Sequence, residues 1–471
     1  MNITALTLQH PTTRTKLWVC VAIALASVHM VLSKVEFIEL EEGICTTRSR
    51  WHGGEGECLL ATGEREDIPF CTSCEDKNKE ERFLIVLVIS ARHHFTHRQM
   101  IRETWASRYD SKDYDSSTHK VFFVIGNATT REDKFGAVSS RLEAEHGMYN
   151  DMIRVPVIDT YSNLIYKILL AFDYIEKRFK YDYLMKVDDD TFVHLESLLL
   201  DLQHPGRRRT KKFMQGQIWA GVPIRDDKHK NFISKTYYPL DQLLPYPHGA
   251  HYVVTRDFVS YIVKNEDMLA SSIVPPEHRG NIEDVRMGLW AFAIGMTIVH
   301  DTRFVETINC HKNAISLSDV PLNLFKSIFT RLRRFSTGRI QNSTQDVGSI
   351  CTDDVHAHAA ETYFSIAQKI KREKELSMSN PDRYYEKLGN AFNNAAVHSA
   401  YIFKFKVAAE MLQMAKDAYD NVGIGGKVIK SLEYFRNLAS GDTACDMKCV
   451  ENLRNSLDIG LQEFAHEISK P

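Results

Sequence analysis

The stretch Phe83 to Ser90, FLIVLVIS, leaves this chain few ways to fold. An apolar run with no polar alternation cannot turn either face to water, so it reads as a strand of a parallel sheet covered on both sides. The segments after it alternate in the same sense. Helical spacing runs from Arg98 to Trp105, a strand from Lys120 to Gly126, and a helical segment from Asp133 to His146. A strand from Ile153 to Ile158, an amphipathic helix from Asn163 to Phe179 and a strand from Tyr183 to Val187 complete the series. Strands taking turns with helices imply an α/β domain with a largely parallel sheet.

The last of these strands ends in Asp188, Asp189 and Asp190. Alternation along a strand puts Asp188 and Asp190 on one face, roughly 7 Å apart, and Asp189 on the other. Two like charges at that spacing cost roughly 2–3 kcal/mol at an effective dielectric near 20. A divalent cation reverses the sign, and magnesium or manganese sites that also hold a diphosphate use one or two carboxylates. The competing reading is a solvated loop in which Asp190 caps the next segment.

The chain has 471 residues, enough for two or three domains, and its net charge of −2 with a pI near 6.9 gives no electrostatic reason to expect nucleic acid. Arg14 and Lys16 precede an apolar stretch, Leu17 to Leu32, and the acidic residues Glu36 to Glu42 come after it. That charge order predicts a signal anchor with the remainder luminal. Ala24-Leu25-Ala26 keeps open a cleaved signal peptide. Beyond Cys20 there are eight cysteines, Cys45, Cys58, Cys71, Cys74, Cys310, Cys351, Cys445 and Cys449, an even number suited to a disulfide framework in that compartment. Asn127 and Asn342 head glycosylation acceptor triplets.

Six blocks occur in a recognisable order: RQMIRETW at 98–105, VFFVIG at 121–126, YSNLIYKIL at 161–169, MKVDDDTFV at 185–193, YPHGAHYVVT at 246–255 and EDVRMG at 283–288. With them residues 82–312 resemble the β1,3-glycosyltransferases of the galactosyltransferase and N-acetylglucosaminyltransferase type, glycosyltransferase family 31. The resemblance implies a GT-A, Rossmann-like nucleotide-diphospho-sugar transferase domain and an inverting, manganese-dependent transfer from a UDP-sugar to a glycan acceptor. It also implies a type II membrane protein of the Golgi or endoplasmic reticulum. The expected organisation is a cytosolic tail at 1–16, a membrane anchor at 17–33 and a cysteine-containing stem at 34–81. A catalytic domain at 82–335, a linker at 336–352 and a helical extension at 353–471 complete it.

Carried onto this chain, the resemblance makes Asp190 a metal ligand, Asp188 a residue of the metal shell or ribose, and His300 a further ligand. Asp189 joins the donor site although alternation points it away. Inversion requires a base for the acceptor hydroxyl, and the block at 283 assigns it to Asp284, with Glu283 orienting it or touching the acceptor. Without the resemblance, this pair is ordinary acid at a helix N-terminus. Arg98, Arg102, Lys167 and Lys186 are the cations expected around the diphosphate and uracil, with a structural role as the alternative for Arg102. Trp105 reads as core. Gly249 is expected to let the backbone approach the sugar or acceptor closely. Two departures from the family pattern, Ala250-His251 in place of glycines and Ile165 in place of a threonine, imply altered specificity.

Galactose is the first expectation for the donor, with N-acetylglucosamine or N-acetylgalactosamine as the alternative. A catalytically silent partner or chaperone subunit and a metal-dependent hydrolase are the other classes to be distinguished. The basic residues Lys326, Arg331, Arg333, Arg334 and Arg339 read as a solvated helix face rather than a site for an acidic acceptor. The extension, with Cys445 and Cys449 near its end, suggests an acceptor-recognition or oligomerisation module.

Overall fold

The computed structural model describes residues 79–440 except 108–117, 130–132, 134–135, 205–210, 237, 266–268, 270–281, 337–348, 373–380 and 403, all within one compact unit. The expected anchor and most of the stem, Cys45, Cys58, Cys71, Cys74, Cys445, Cys449 and Asn342 lie outside the described residues.

The first half of the chain runs β1 (Glu80–Ile89), α1 (Phe95–Glu103), β2 (His119–Asn127), α2 (Ala137–Tyr149), β3 (Met152–Ile158), α3 (Leu164–Arg178), β4 (Phe179–Asp188) and β5 (Phe192–Val193). It continues through α4 (Leu195–Gln203), β6 (Phe213–Gly221), β7 (Leu243–Thr255), α5 (Arg256–Lys264), α6 (Glu283–Ala293), β8 (Thr297–His300), β9 (Phe304–Glu306) and β10 (Ser316–Ser318). Five helices close the described chain: α7 (Leu322–Ser336), α8 (Asp353–Arg372), α9 (Pro381–Tyr401), α10 (Phe405–Asp420) and α11 (Ile429–Ser440).

The main sheet has the order β3-β2-β1-β4-β7-β6-β8. Its first four strands are parallel, as the alternation predicts, but β7 joins β4 antiparallel, and β6 pairs antiparallel with β7 and parallel with β8. The sheet is therefore mixed. The cause is visible in β7, thirteen residues that follow β6 with no helix described between them and return antiparallel between β6 and β4.

Burial on both faces of β1 explains its unbroken apolar run. Leu84, Val86 and Val88 enter one core with Ile101, Trp105 and Phe325, whereas Ile85, Leu87 and Ile89 enter the opposite core with Ile168, Phe172 and Phe258. The five-residue stretch Ile85–Ile89 is essentially removed from water, and each such side chain contributes about 1.5–3 kcal/mol.

A disulfide joins Cys310 to Cys351, with α carbons 5.7 Å apart and 41 residues of separation. Helices α8 to α11 form a separate core of their own. They meet the catalytic half where Tyr363 donates to Asn309 Oδ1 at 2.6 Å. Of the basic cluster, Lys326 pairs with Glu103 at 3.4 Å and Arg331 with Asp353 at 4.0 Å, which fits a solvated helix face.

Candidate active site

The carboxyl end of β4 delivers the aspartates, and the chain turns there with Thr191 N–H donating to Asp188 O at 3.2 Å. Asp188 and Asp189 point apart. Lys186 Nζ donates to Asp188 Oδ1 at 2.6 Å. Asp189 Oδ2, in contrast, accepts from Ser90 Oγ at 2.6 Å and lies 2.9 Å from His94 Nδ1. Burial works against an ionised Asp189, but His94 and Ser90 outweigh it and hold its carboxyl below the usual range. Asp189 therefore braces the loop after β1 from the far side of the triplet.

Burial, reinforced by the carboxylates of Asp188, Asp319 and Asp189, pushes Asp190 up to about 7. Asp319 is a residue that the motif blocks do not contain. It follows β10, sits at φ 54°, a left-handed conformation that aspartate tolerates, and its neighbour Val320 donates N–H to Asp190 O at 2.8 Å. Its one sequence signal was an acid just ahead of Pro321.

Of the four expected donor cations, Lys186 faces the triplet. It is 1% exposed, and although burial disfavours its charge, Asp188 and Glu283 outweigh that and raise its pKa. It also donates to the Gly249 carbonyl.

The other three are held by partners within the chain. Arg98, wholly buried, spends its guanidinium on Glu145 at 2.7 and 2.9 Å, on Ser90 Oγ, and on the carbonyls of Ala91 and Arg92. Those contacts use all five of its donors. Arg102 is held by Asp151 and Glu145 and lies between the rings of Phe123 and Tyr149, 4.6 and 4.0 Å from their centroids. Lys167 donates to Ser90 O at 2.9 Å and Asp159 Oδ1 at 2.8 Å, fastening α3 to the end of β1.

His300 has a backbone partner in this structure. Its Nδ1 accepts from Ile218 N–H at 3.0 Å, and β8 lies three strands from β4 in the sheet order. Among the described residues no three His, Cys, Asp or Glu side chains are grouped to hold a metal ion.

The second wall comes from α6. Glu283 and Asp284 occupy its first turn, where the helix dipole favours negative charge. Glu283 is 3% exposed and accepts a hydrogen bond from Tyr252 at 2.6 Å. Burial drives its pKa to about 7, with Lys186 opposing and Asp284 adding to the rise. Burial also raises Asp284, against the Val285 N–H that donates to Oδ1 at 2.8 Å.

At Gly249 the close approach within the chain is to Asp284, and Lys186 donates to the Gly249 carbonyl. His251, the departure at the next strand position but one, is fully buried with Nδ1 2.8 Å from Ser316 Oγ. Asn127 is exposed at the end of β2.

Lys186 and Gly249 thus stand between the β4 aspartates and Asp284. This arrangement can neutralise a leaving anion on one side and accept a proton on the other.

Residues 96–302 match the profile of a family described as galactosyltransferase. A Rattus norvegicus protein, UDP-GalNAc:beta-1,3-N-acetylgalactosaminyltransferase 1, is 35% identical over 267 residues, covering 54% of this chain and 74% of its own length. A Danio rerio protein, lactosylceramide 1,3-N-acetyl-beta-D-glucosaminyltransferase B, is 32% identical over 222 residues, 47% of this chain. The chain spans 55% of that relative's length. Among solved structures, the galactosyltransferase LgtC with donor and acceptor sugar analogs aligns with 12% identity over 48% of this chain and 75% of its own, at a TM-score of 0.25, too loose an overlap to carry an argument.

Proposed function

The chain belongs to the galactosyltransferase family, and from that premise we propose that it is an inverting β1,3-glycosyltransferase with a GT-A-type donor domain, taking an N-acetylhexosamine from a UDP-sugar to a hydroxyl of a glycan. The galactose expected from the sequence gives way here, because the relatives' names specify N-acetylglucosaminyl and N-acetylgalactosaminyl transfer. The observation that carries the reading is the position of Asp284 on α6, facing Gly249 across from the Lys186–Asp188 pair.

In this reading the Asp284 carboxylate takes the proton of the acceptor hydroxyl as its oxygen attacks the anomeric carbon. The bond to UDP breaks on the opposite face and the diphosphate leaves as an anion. Lys186 holds Asp188 in place and contributes positive charge on the leaving side. A divalent cation such as manganese, when bound, supplies Lewis-acid stabilisation of that diphosphate, and Asp188 and Asp190 are the residues that would hold it. The protein works in the lumen of the Golgi or endoplasmic reticulum, anchored by residues 17–33 and glycosylated at Asn127 and Asn342.

The test follows UDP release by the full-length protein with manganese, UDP-N-acetylglucosamine or UDP-N-acetylgalactosamine, and a panel of β-glycosides. Release should require both a donor and an acceptor, and Asp284→Asn should remove it while UDP binding survives. Donor breakdown indifferent to acceptor, or full activity in Asp284→Asn, would overturn the reading.

A further inference from the structure

Strands β6 and β7 continue past the end of β4 as a two-stranded ribbon, with Ile218 opposite Pro247 and Trp219 opposite Tyr246. On it the Trp219 indole stacks on the His248 imidazole, ring centroids 4.9 Å apart and planes 22° from parallel. His248 meets His251 edge to face at 5.9 Å. Three ring nitrogens in this contiguous stack, Trp219 Nε1, His248 Nδ1 and His251 Nε2, are buried without a hydrogen-bond partner among the described residues. A buried polar group left unmade costs about 1–3 kcal/mol, and native interiors satisfy nearly all of them. Here three such atoms lie together in rings that touch.

The location narrows what could satisfy them. His248 immediately precedes Gly249, whose α carbon faces Asp284 and whose carbonyl takes the Lys186 hydrogen bond. The Ser90–Asp189 contact lies on β1 and β4, whereas the stack lies on β7 and β6, on the opposite side of the triplet. If Asp284 takes the proton of the acceptor hydroxyl, the sugar that carries that hydroxyl sits on its side of the triplet. An indole N–H donates only, and a neutral imidazole nitrogen donates or accepts according to its tautomer. Sugar hydroxyls satisfy both.

We propose that the Trp219–His248 stack, with His251 beneath it, is a hydroxyl-binding subsite for a hexopyranose of the acceptor. The assignment rests on the reading of Asp284 as the base. Trp219 Nε1 donates to one ring hydroxyl and His248 Nδ1 bonds another, so the pair fixes which hydroxyl is presented to Asp284.

The experiment is saturation-transfer NMR of methyl β-galactoside, methyl β-lactoside and methyl N-acetyl-β-glucosaminide on the full-length protein with UDP and manganese. Trp219→Phe and His248→Phe keep the rings and remove the nitrogens. At least one glycoside should bind the wild type, and each substitution should weaken it about tenfold, with UDP affinity and unfolding midpoint unchanged. Asp284→Asn should keep glycoside binding, so failure of the base assignment shows in turnover alone. Wild-type protein that binds no glycoside, or both ring variants binding at wild-type strength, overturns the subsite.

Discussion

A β-carbon placed on Gly249 would stand 3.2 Å from Asp284 Oδ2, closer than ordinary contact. The glycine is therefore matched to the carboxylate. Gly249→Ala should push Asp284 by a few tenths of an ångström and lower kcat by about 10- to 100-fold, since small misplacements of a reacting group are costly. UDP affinity should stay within about twofold, because in the proposed mechanism Asp284 acts on the acceptor hydroxyl and not on the nucleotide. Steady-state kinetics beside UDP titration checks this, and an unchanged kcat would detach Asp284 from the chemistry.

Lys186→Met deletes a buried ammonium that faces Asp188 and Glu283. Removing one partner of a buried ion pair costs roughly 3–5 kcal/mol, so the urea unfolding midpoint should fall clearly. Activity should fall further than in a variant of equal instability elsewhere in the sheet.

Arg98→Met separates two roles that a sequence cannot. With its guanidinium committed to Glu145, Ser90 and two carbonyls, its loss should cost roughly 3–5 kcal/mol of stability and leave the UDP affinity of the folded fraction unchanged. A weakened UDP complex in a protein of normal stability would return Arg98 to the donor site.

The Glu283 carboxyl, moved from 4.5 to about 7 chiefly by burial, binds a proton in the folded protein that it loses when unfolded. Stability should thus decline as pH rises from about 4.5 to 7, with a contribution of at most about 3 kcal/mol. Below that window the group is protonated in both states and contributes nothing. Denaturant titrations at pH 5 and pH 7.5 should differ less in Glu283→Gln than in the wild type.

The parallel half of the sheet was legible because continuous apolar runs and helical spacing are local properties, and β1 to β4 with their helices fall within a few residues of the expected bounds. The antiparallel half was not, since only tertiary pairing decides that β7 returns along β4. The same division holds in the site. Asp188 sits in one motif block and Glu283 and Asp284 in another, so all three could be singled out from the sequence. Arg98 and Lys167 look like ligand cations until Glu145 and Asp159 are seen against them. Asp319 and the Trp219–His248 stack depend on segments brought together by folding.

The Cys310–Cys351 bond closes a ring that contains α7 and residues 337–348. By the chain-entropy account, a ring of that size adds about 4 kcal/mol to folding. It also makes the boundary between the catalytic half and the helical extension resistant to scission. A protease that cuts between residues 337 and 348 would leave the two pieces covalently joined, migrating as one band on a non-reducing gel and as two after reduction. The extension would remain attached to a nicked protein for as long as its surroundings stayed oxidising.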